Sequence, residues 1–186
     1  MIDGRGLMAQ VNAAEAEIDL DADLFMRQML RELTGMLQDI VGMEEAEGYI
    51  NSVGTAIGTW IERKYREEMG PVNLDPAQVA ALFVDLKDRI GGGFYVISTD
   101  DDRIVLGNRR CPFGDKAAGR DSLCMMTSNV FGRIAADHLG YARVALEQTI
   151  ARGDGHCRVV VDLKRDGDQD ADGKEYYRVE DAVGGG

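Results

Sequence analysis

The chain has 186 residues, 45% of them hydrophobic, and a formal net charge of −12 at pH 7 from 33 acidic and 21 basic side chains. This length and composition suit one globular domain with a sizeable core. The negative charge repels nucleic-acid phosphates and anionic lipid, so we expect no direct nucleic-acid binding. No run reaches the roughly 18 apolar residues of a membrane span, and no secretion signal is evident, so we expect a cytoplasmic protein without a membrane anchor.

The first 70 residues predict helices. Residues 1–20 are small, polar and acidic, and we expect a frayed or helical lead-in. A helix is predicted from Asp21 or Asp23 to about Gly42, and a second over about 44–68, because apolar residues recur at three- and four-residue spacing. The apolar positions are Leu24, Phe25, Met29, Leu30, Leu33, Met36, Leu37, Ile40 and Val41 in the first helix and Ile50, Val53, Ile57, Trp60, Ile61 and Tyr65 in the second. Glycines at 54 and 58 permit close helix approach, and we interpret the stripes as core packing or a homodimer seam.

The second predicted helix ends at Gly70-Pro71. A third helix over 76–90 has Asp75 as its cap and Pro76 at its first position. Later segments predict a β-hairpin, one more helix and three more strands. These segments are 94–98 and 103–108 for the hairpin, 122–138 for the helix, and 141–150, 157–163 and 175–179 for the strands. The prediction is an α+β fold in which an antiparallel sheet carries helices on one face, preceded by N-terminal helices. We place a division near residue 71, between a helical region 1–70 and a domain 71–183.

All three cysteines fall between residues 111 and 157. Cys111 lies in a Cys-Pro turn, Cys124 at a helix N-terminus, and Cys157 where a turn enters a strand, so chain reversals can bring the thiols together. Clustered thiols in a reducing compartment favour a metal or redox site over disulfides, and thiolate selects zinc or an iron–sulfur cluster. The alternatives are buried thiols that act as small hydrophobic side chains, or a catalytic cysteine, for which no pattern supplies a His and an orienting acid.

Three residues compete to be a fourth ligand. His138 is about 21 Å from Cys124 if one helix joins them at about 1.5 Å per residue, so the two cannot share a metal. His156 adjoins Cys157, and neighbouring strand residues point to opposite faces. Glu147, on the paired strand, can face Cys157 across the hairpin and is our choice.

The acidic turn over residues 166–173 is similar to the start of an EF-hand calcium loop. Its Asp168, Asp170, Asp172 and Gly173 fit the first six loop positions, but Val179 stands where the last ligand, a Glu, is needed. The flanks read as strands, so we interpret the segment as a solvated hairpin turn.

Several segments of the second half carry a family pattern. They are Cys111-Pro112-Phe113-Gly114, Leu123-Cys124 through Phe131-Gly132-Arg133-Ile134-Ala135-Ala136, Ala145-Leu146-Glu147, and Arg152-Gly153-Asp154-Gly155-His156-Cys157-Arg158-Val159-Val160-Val161. Over about residues 92–163 the chain resembles the methanogen output domain family, which is similar in pattern to 4-vinyl reductase domains. The resemblance implies a sensory or regulatory signalling domain found beside histidine kinases and related modules, rather than an enzyme.

The resemblance also implies a site. In phenol-sensing relatives of the 4-vinyl reductase type, a zinc site of cysteines and a glutamate supports a small-molecule pocket, and Cys124, Glu147 and Cys157 stand at the matching positions. Ile150 replaces a further cysteine of those relatives, and Cys111 is the candidate substitute. Regulators with a similar ending hold iron–sulfur clusters, which keeps a redox or gas sensor as the alternative.

We therefore expect a signal-sensing domain with a metal site at Cys111, Cys124, Glu147 and Cys157, zinc being favoured over an iron–sulfur cluster. A small-molecule pocket is expected between helix 122–138 and the sheet. Its predicted lining is Met125, Met126, Val130 and Phe131. We expect a homodimer formed through the N-terminal helices, and a histidine kinase or other regulator as the signalling partner.

Overall fold

The computed structural model describes residues 18–165 and 172–178, so the predicted lead-in up to residue 17 and most of the acidic turn lie outside the described residues. The helices are α1 (Ala22–Val41), α2 (Met43–Met69), α3 (Pro76–Arg89) and α4 (Asp121–Leu139). The strands are β1 (Phe94–Thr99), β2 (Arg103–Asn108), β3 (Tyr141–Gln148), β4 (Cys157–Asp162) and β5 (Lys174–Tyr177). None of the described helices is long and apolar enough to cross a bilayer.

The helix starts follow the predicted caps. The Asp21 carboxylate accepts a hydrogen bond from the Leu24 amide at 2.7 Å. Asp75 and Gln78 form a reciprocal capping box, with Pro76 at the first helical position of α3. Gly42 alone separates α1 from α2 and has φ of 86°, a conformation that side chains larger than hydrogen disfavour. The two N-terminal helices are therefore joined through a single glycine that interrupts the helical backbone.

The sheet is antiparallel throughout, in the order β1-β2-β4-β3-β5. The predicted β1–β2 hairpin is confirmed. The predicted strand over 141–150 is too long, because β3 ends at Gln148 and Ile150–Arg152 form a 3-10 turn. A register shift between Leu146 and Gln148 precedes that end, so Glu147 is left out of the pairing with β4.

One face of the sheet carries the core, against α3 and α4. Phe131 of α4 is fully buried, stacks on Phe83 of α3 with ring centroids 4.1 Å apart, and meets Phe94 of β1 edge to face at 5.6 Å. Alternate residues of β2, β3 and β4, which face the same side of the sheet, complete the cluster. They are Ile104, Leu106, Ala142, Val144, Val159 and Val161. The predicted α+β fold, with N-terminal helices ahead of an antiparallel sheet, is confirmed.

Helix α2 packs along α4 through glycine. A Cβ atom at Gly54 would lie 2.5 Å from the Asn129 Cβ, and one at Gly58 would lie 3.1 Å from the Arg133 Cβ. The close approach predicted from these glycines is therefore made to α4 of the same chain, across the predicted division near residue 71, which stays a prediction.

The far end of α4 is held by a buried polar cluster. His138 Nδ1 accepts a hydrogen bond from the Leu74 amide at 3.2 Å, and its Nε2 lies 3.0 Å from Glu62 Oε1. Arg66 Nε donates to the same Glu62 oxygen at 2.6 Å. Burial alone would raise the pKa of Glu62, but the hydrogen bonds and charges of His138 and Arg66 bring it below its usual 4.5. This cluster ties α2, α4 and the start of α3 together.

Candidate functional site

The three cysteines converge at the opposite end of α4. Cys111 lies in the turn after β2, Cys124 in the first turn of α4, and Cys157 at the first residue of β4. All three line one cavity of about 20 Å³. Its remaining wall is mostly apolar and comes from Phe94, Asn108, Pro112, Phe113, Leu123, Thr127, Leu146, Thr149 and Val159. The topology thus gathers thiols that are 46 positions apart in the chain.

Each sulfur already faces a hydrogen-bond donor. The Asn108 amide nitrogen lies 3.8 Å from Cys157 Sγ, and the Ile150 amide nitrogen lies 3.5 Å from it. The Thr149 hydroxyl bonds to the Cys124 thiol, and the Phe113 backbone bonds to Cys111. Donors directed at sulfur stabilise a thiolate, whether it is free or bound to a metal.

Burial nevertheless opposes the ionisation of two of the thiols. It raises the pKa of Cys124 to about 12, and the nearby Cys157 and Cys111 sulfurs add to that shift. Burial also raises the pKa of Cys111 above its usual 9.0. A nearby positive charge would favour the thiolate forms of Cys124 and Cys111, and a bound metal cation is the usual source.

Lys87 is a buried cation beside these sulfurs. Only 4% of the residue is exposed, and its Nζ donates to the Thr127 hydroxyl at 2.9 Å. The ammonium lies 5.3 Å from the Phe94 ring centroid and 5.1 Å from that of Phe131. Burial lowers the pKa of Lys87 to about 8, and the three cysteines oppose that shift.

The candidates for a fourth ligand lie away from the thiol cavity. Glu147 is exposed and accepts from Arg158 Nε at 2.7 Å, and His156 Nε2 lies 2.9 Å from the Gln148 side-chain oxygen. His138 sits at the far end of α4, as its distance along the helix predicted. Among residues 18–165 and 172–178, no group of three or more His, Cys, Asp or Glu side chains has the arrangement of a metal site. The three sulfurs have the donor chemistry that a thiophilic cation prefers, but in this structure they are not arranged as a metal site.

A second, larger cavity of about 420 Å³ lies between α4 and β3. Leu146 lines both this cavity and the thiol cavity, so the two cavities adjoin at this residue. The polar wall of the larger cavity includes Asn51 and Asn129, whose side chains are joined by a 2.9 Å hydrogen bond. Asn129 is buried, and its amide also donates to the Met125 carbonyl while its oxygen accepts from Tyr176.

The pocket predicted between helix 122–138 and the sheet overlaps this cavity only in part. Met125 lines it. Val130 and Phe131 belong to the core behind it, where they pack against α3 and the sheet, and Met126 is half-buried. The predicted lining of these four side chains is thus split between cavity and core.

Sequence reasoning missed Lys87 and the asparagines. A signal for Lys87 existed, because it follows Phe83 by four residues and Val79 by eight, which places its charge on the buried face of α3. Asn51 and Asn129 carry no such local signal, since their contact depends on how α2 crosses α4.

The comparisons with known proteins agree with this architecture. The family model for methanogen output domain 1 matches residues 29–162. The chain belongs to this family. The sequence resemblance is therefore confirmed, and with it a sensory or regulatory role of the output-domain kind. No curated protein matches the chain significantly.

Two solved structures are similar to the chain in fold. A trafficking protein particle complex subunit 3 from Naegleria fowleri, covalently bound to palmitic acid, has a TM-score of 0.57 and 15% identity, over 77% of this chain and 95% of that one. The phenol-responsive sensory domain of the transcription activator PoxR, with phenol, has a TM-score of 0.56 and 15% identity, over 78% of this chain and 76% of that one.

Proposed function

We propose that this output domain senses a small organic molecule in the cavity between α4 and β3, and that a divalent thiophilic metal at Cys111, Cys124 and Cys157 holds the adjoining end of the sheet in shape. The observation that carries the proposal is the convergence of three buried or half-buried thiols on one cavity that shares Leu146 with the larger one. Zinc suits such a site because it binds thiolates in a structural role. Glu147 as a fourth ligand requires its release from Arg158.

The fold neighbours support the small-molecule part of the proposal. Both were determined with an organic molecule, phenol in one and palmitic acid in the other. The cavity of about 420 Å³ is of the size that small ligands occupy. Its asparagine, serine and backbone groups suit a ligand with hydrogen-bonding atoms as well as an apolar part.

The metal is tested on protein purified without oxygen. We expect about one zinc per chain, no visible colour, and a lower melting temperature with loss of zinc in Cys124→Ser. A metal content and a melting temperature of Cys124→Ser equal to those of the wild type would contradict the proposal. Iron with sulfide and a brown colour would instead support the second candidate, a redox or gas sensor on the same cysteines, which is favoured by the donors directed at each sulfur.

The ligand cavity is tested separately with phenol as the probe. Filling the cavity by Asn51→Trp should abolish the stabilisation that phenol gives to the wild-type protein in thermal unfolding. Arg63→Trp, at an exposed residue of the same helix that does not line the cavity, serves as the matched control. Equal responses of the two variants to phenol would place any binding elsewhere.

We further propose a cytoplasmic homodimer that signals to a histidine kinase or another regulator. Large apolar side chains remain exposed along α1 and α2, with 75% of Ile40 and 51% of Trp60 accessible. Their spacing of four, four and three residues is one that pairs helices. In α1 it joins the exposed Phe25, Leu33, Met36 and Ile40 with the half-buried Met29, and in α2 it joins the exposed Tyr49, Val53, Ile57 and Trp60. A second copy supplies the same two stripes and can cover both at once.

The oligomeric state tests this surface. Light scattering coupled to size-exclusion chromatography should give a dimer for the wild type and a monomer for Leu33→Glu, because a buried charge opposes the interface. Val72→Glu places the same charge at an exposed apolar residue outside the stripes and should remain dimeric. A monomeric wild type at micromolar concentration contradicts the homodimer.

A further inference from the structure

A series of hydrogen bonds with one fixed direction runs beside the cavity between α4 and β3. The Met125 carbonyl can only accept, so the Asn129 atom 2.8 Å from it is the amide nitrogen. The Asn129 oxygen is therefore left for Tyr176, whose hydroxyl donates to it at 3.1 Å. Because that hydroxyl carries a single proton, the Ser128 hydroxyl, 3.1 Å away, must donate to the Tyr176 oxygen. One backbone carbonyl thus sets the direction of these side-chain hydrogen bonds.

The same carbonyl fixes the orientation of Asn51, which lines the cavity and is half-buried. The Asn129 nitrogen donates to the Asn51 side-chain oxygen at 2.9 Å, so the Asn51 amide nitrogen is the group left over. In the part of the chain that the structure describes, this nitrogen has no hydrogen-bond partner. Asn51 therefore offers a ligand two N–H donors, and its own acceptor is already used.

The rest of the cavity wall combines apolar side chains with charged ones that are half-buried or exposed. The apolar residues are Met125, Val144, Ala145 and Leu146, and the charged residues are Glu47, Glu147, Arg152, Asp172 and Lys174. Both cations are in ion pairs, Lys174 with Glu47 at 3.5 Å and Arg152 with Asp121 at 3.6 Å. An anionic ligand would therefore meet more carboxylates than cations, and no cation without a partner.

We propose that Asn51 determines which ligand this cavity accepts, namely a neutral organic molecule with an apolar body and an oxygen that accepts hydrogen bonds, as a ketone has. This rests on the proposed small-molecule function of the same cavity and extends it to the chemistry of the ligand. A carbonyl oxygen accepts from the Asn51 N–H groups, whereas an ammonium group would face these donors without an acceptor. A ligand of the same shape without the oxygen would leave the donors unpaired, which weakens its binding.

Probes of nearly the same shape test this role. Acetophenone carries a carbonyl, ethylbenzene has a methylene group at that position, and 1-phenylethylamine has a carbon that bears an ammonium group. Titration calorimetry on the 186-residue protein measures the three dissociation constants, with benzoate as an anionic fourth probe. The wild type should bind acetophenone about tenfold more tightly than ethylbenzene, because one hydrogen bond is gained. It should also prefer acetophenone to the amine and to benzoate.

A substitution at Asn51 should reverse this preference. Asn51→Asp keeps an oxygen that accepts from Asn129 and replaces the N–H donors by a second acceptor. It should weaken acetophenone binding about tenfold, strengthen binding of 1-phenylethylamine and leave ethylbenzene unchanged, whereas structural damage alone would weaken all three. Asn73→Asp makes the same chemical change at an exposed residue outside the cavity and should match the wild type. Asn51→Leu removes the donors without adding charge, should Asn51→Asp lose its fold by circular dichroism.

The outcomes separate this inference from the proposed function. If the wild type binds acetophenone no more tightly than ethylbenzene, or if neither Asn51 variant weakens acetophenone binding, the ligand class is overturned while small-molecule binding stands. If acetophenone does not bind but phenol stabilises the wild type and not Asn51→Trp, the cavity is a sensor site for a different class of ligand. If neither acetophenone nor phenol binds, the proposed small-molecule function and the role of Asn51 both fail.

Discussion

The two ends of α4 solve the problem of buried polarity in different ways. At the C-terminal end, Glu62 is 5% exposed and has both Arg66 and His138 as partners. At the N-terminal end, Lys87 is equally buried but has a hydroxyl and two aromatic rings beside it. In the first cluster the buried carboxylate has its counter-charge, Arg66, within the chain. At the second, no carboxylate forms an ion pair with Lys87 in the part of the chain that the structure describes.

The C-terminal end of α4 therefore has a structural role, whereas the N-terminal end carries the candidate site. The contacts of Glu62 with Arg66 and His138, and of His138 with the Leu74 amide, connect α2, α4 and the start of α3. A charge left without its counter-charge lowers stability, and proteins keep such groups mainly where they bind or react. We therefore expect substitutions at the two ends to have opposite effects on the metal-free protein.

The largest effect is expected at the C-terminal end of α4. Glu62→Ala removes the carboxylate that holds Arg66 and faces His138 Nε2, and it should lower the free energy of unfolding by about 3 kcal/mol. Urea denaturation of metal-free protein measures it. Glu67→Ala, on the same helix, removes an exposed carboxylate and should change stability by less than about 0.5 kcal/mol. Equal losses of stability in the two variants would show that the buried carboxylate contributes no more than an exposed one.

The same residue predicts a pH dependence. Because the pKa of Glu62 is lower in the folded protein than its usual 4.5, its stabilisation is fully present above that value and is lost as the pH falls through the folded pKa. The difference between wild type and Glu62→Ala in urea denaturation should therefore be constant from pH 7 to about 5 and shrink below about 4. A difference that persists at lower pH contradicts the ionic origin.

Much of the fold was predictable because its elements depend on local periodicity. Asp75 and Pro76 define the start of α3, and the apolar spacing of α1 and α2 defines their length. The end of β3 was not predictable, since the irregularity at Glu147 depends on its pairing with β4. The same irregularity left Glu147 outside the thiol cavity. The sequence could not predict where the Glu147 side chain points, although it did predict that the three cysteines lie close together.

A smaller loss of stability is expected at the middle of α4, where α2 packs closely against it. This prediction tests whether that contact is rigid. Gly54→Ala would place a Cβ atom 2.5 Å from the Asn129 Cβ, so α2 must shift from α4, and we expect a loss of about 2 kcal/mol from overpacking. Gly48→Ala, in the same helix, meets no atom within 4 Å and should gain about 0.5 kcal/mol from helix propensity. Thermal unfolding of both variants measures this contrast, and a neutral Gly54→Ala would mean that the helices have room to separate.

The smallest effect is expected at the N-terminal end of α4 and has the opposite sign. In metal-free protein, Lys87→Met removes a buried cation, offset by loss of its hydrogen bond and ring contacts, and should raise the free energy of unfolding by about 1 kcal/mol. The pKa of Lys87 is lowered by burial from 10.5 to about 8, so the folded state disfavours the ammonium. The penalty is full below pH 8, shrinks as the pH rises between these values, and is absent above the higher one. The advantage of Lys87→Met in chemical denaturation should therefore decline from pH 8 to 10.5. A variant that is less stable than the wild type without metal would mean that Lys87 is already compensated, and the contrast between the two ends of α4 would be lost.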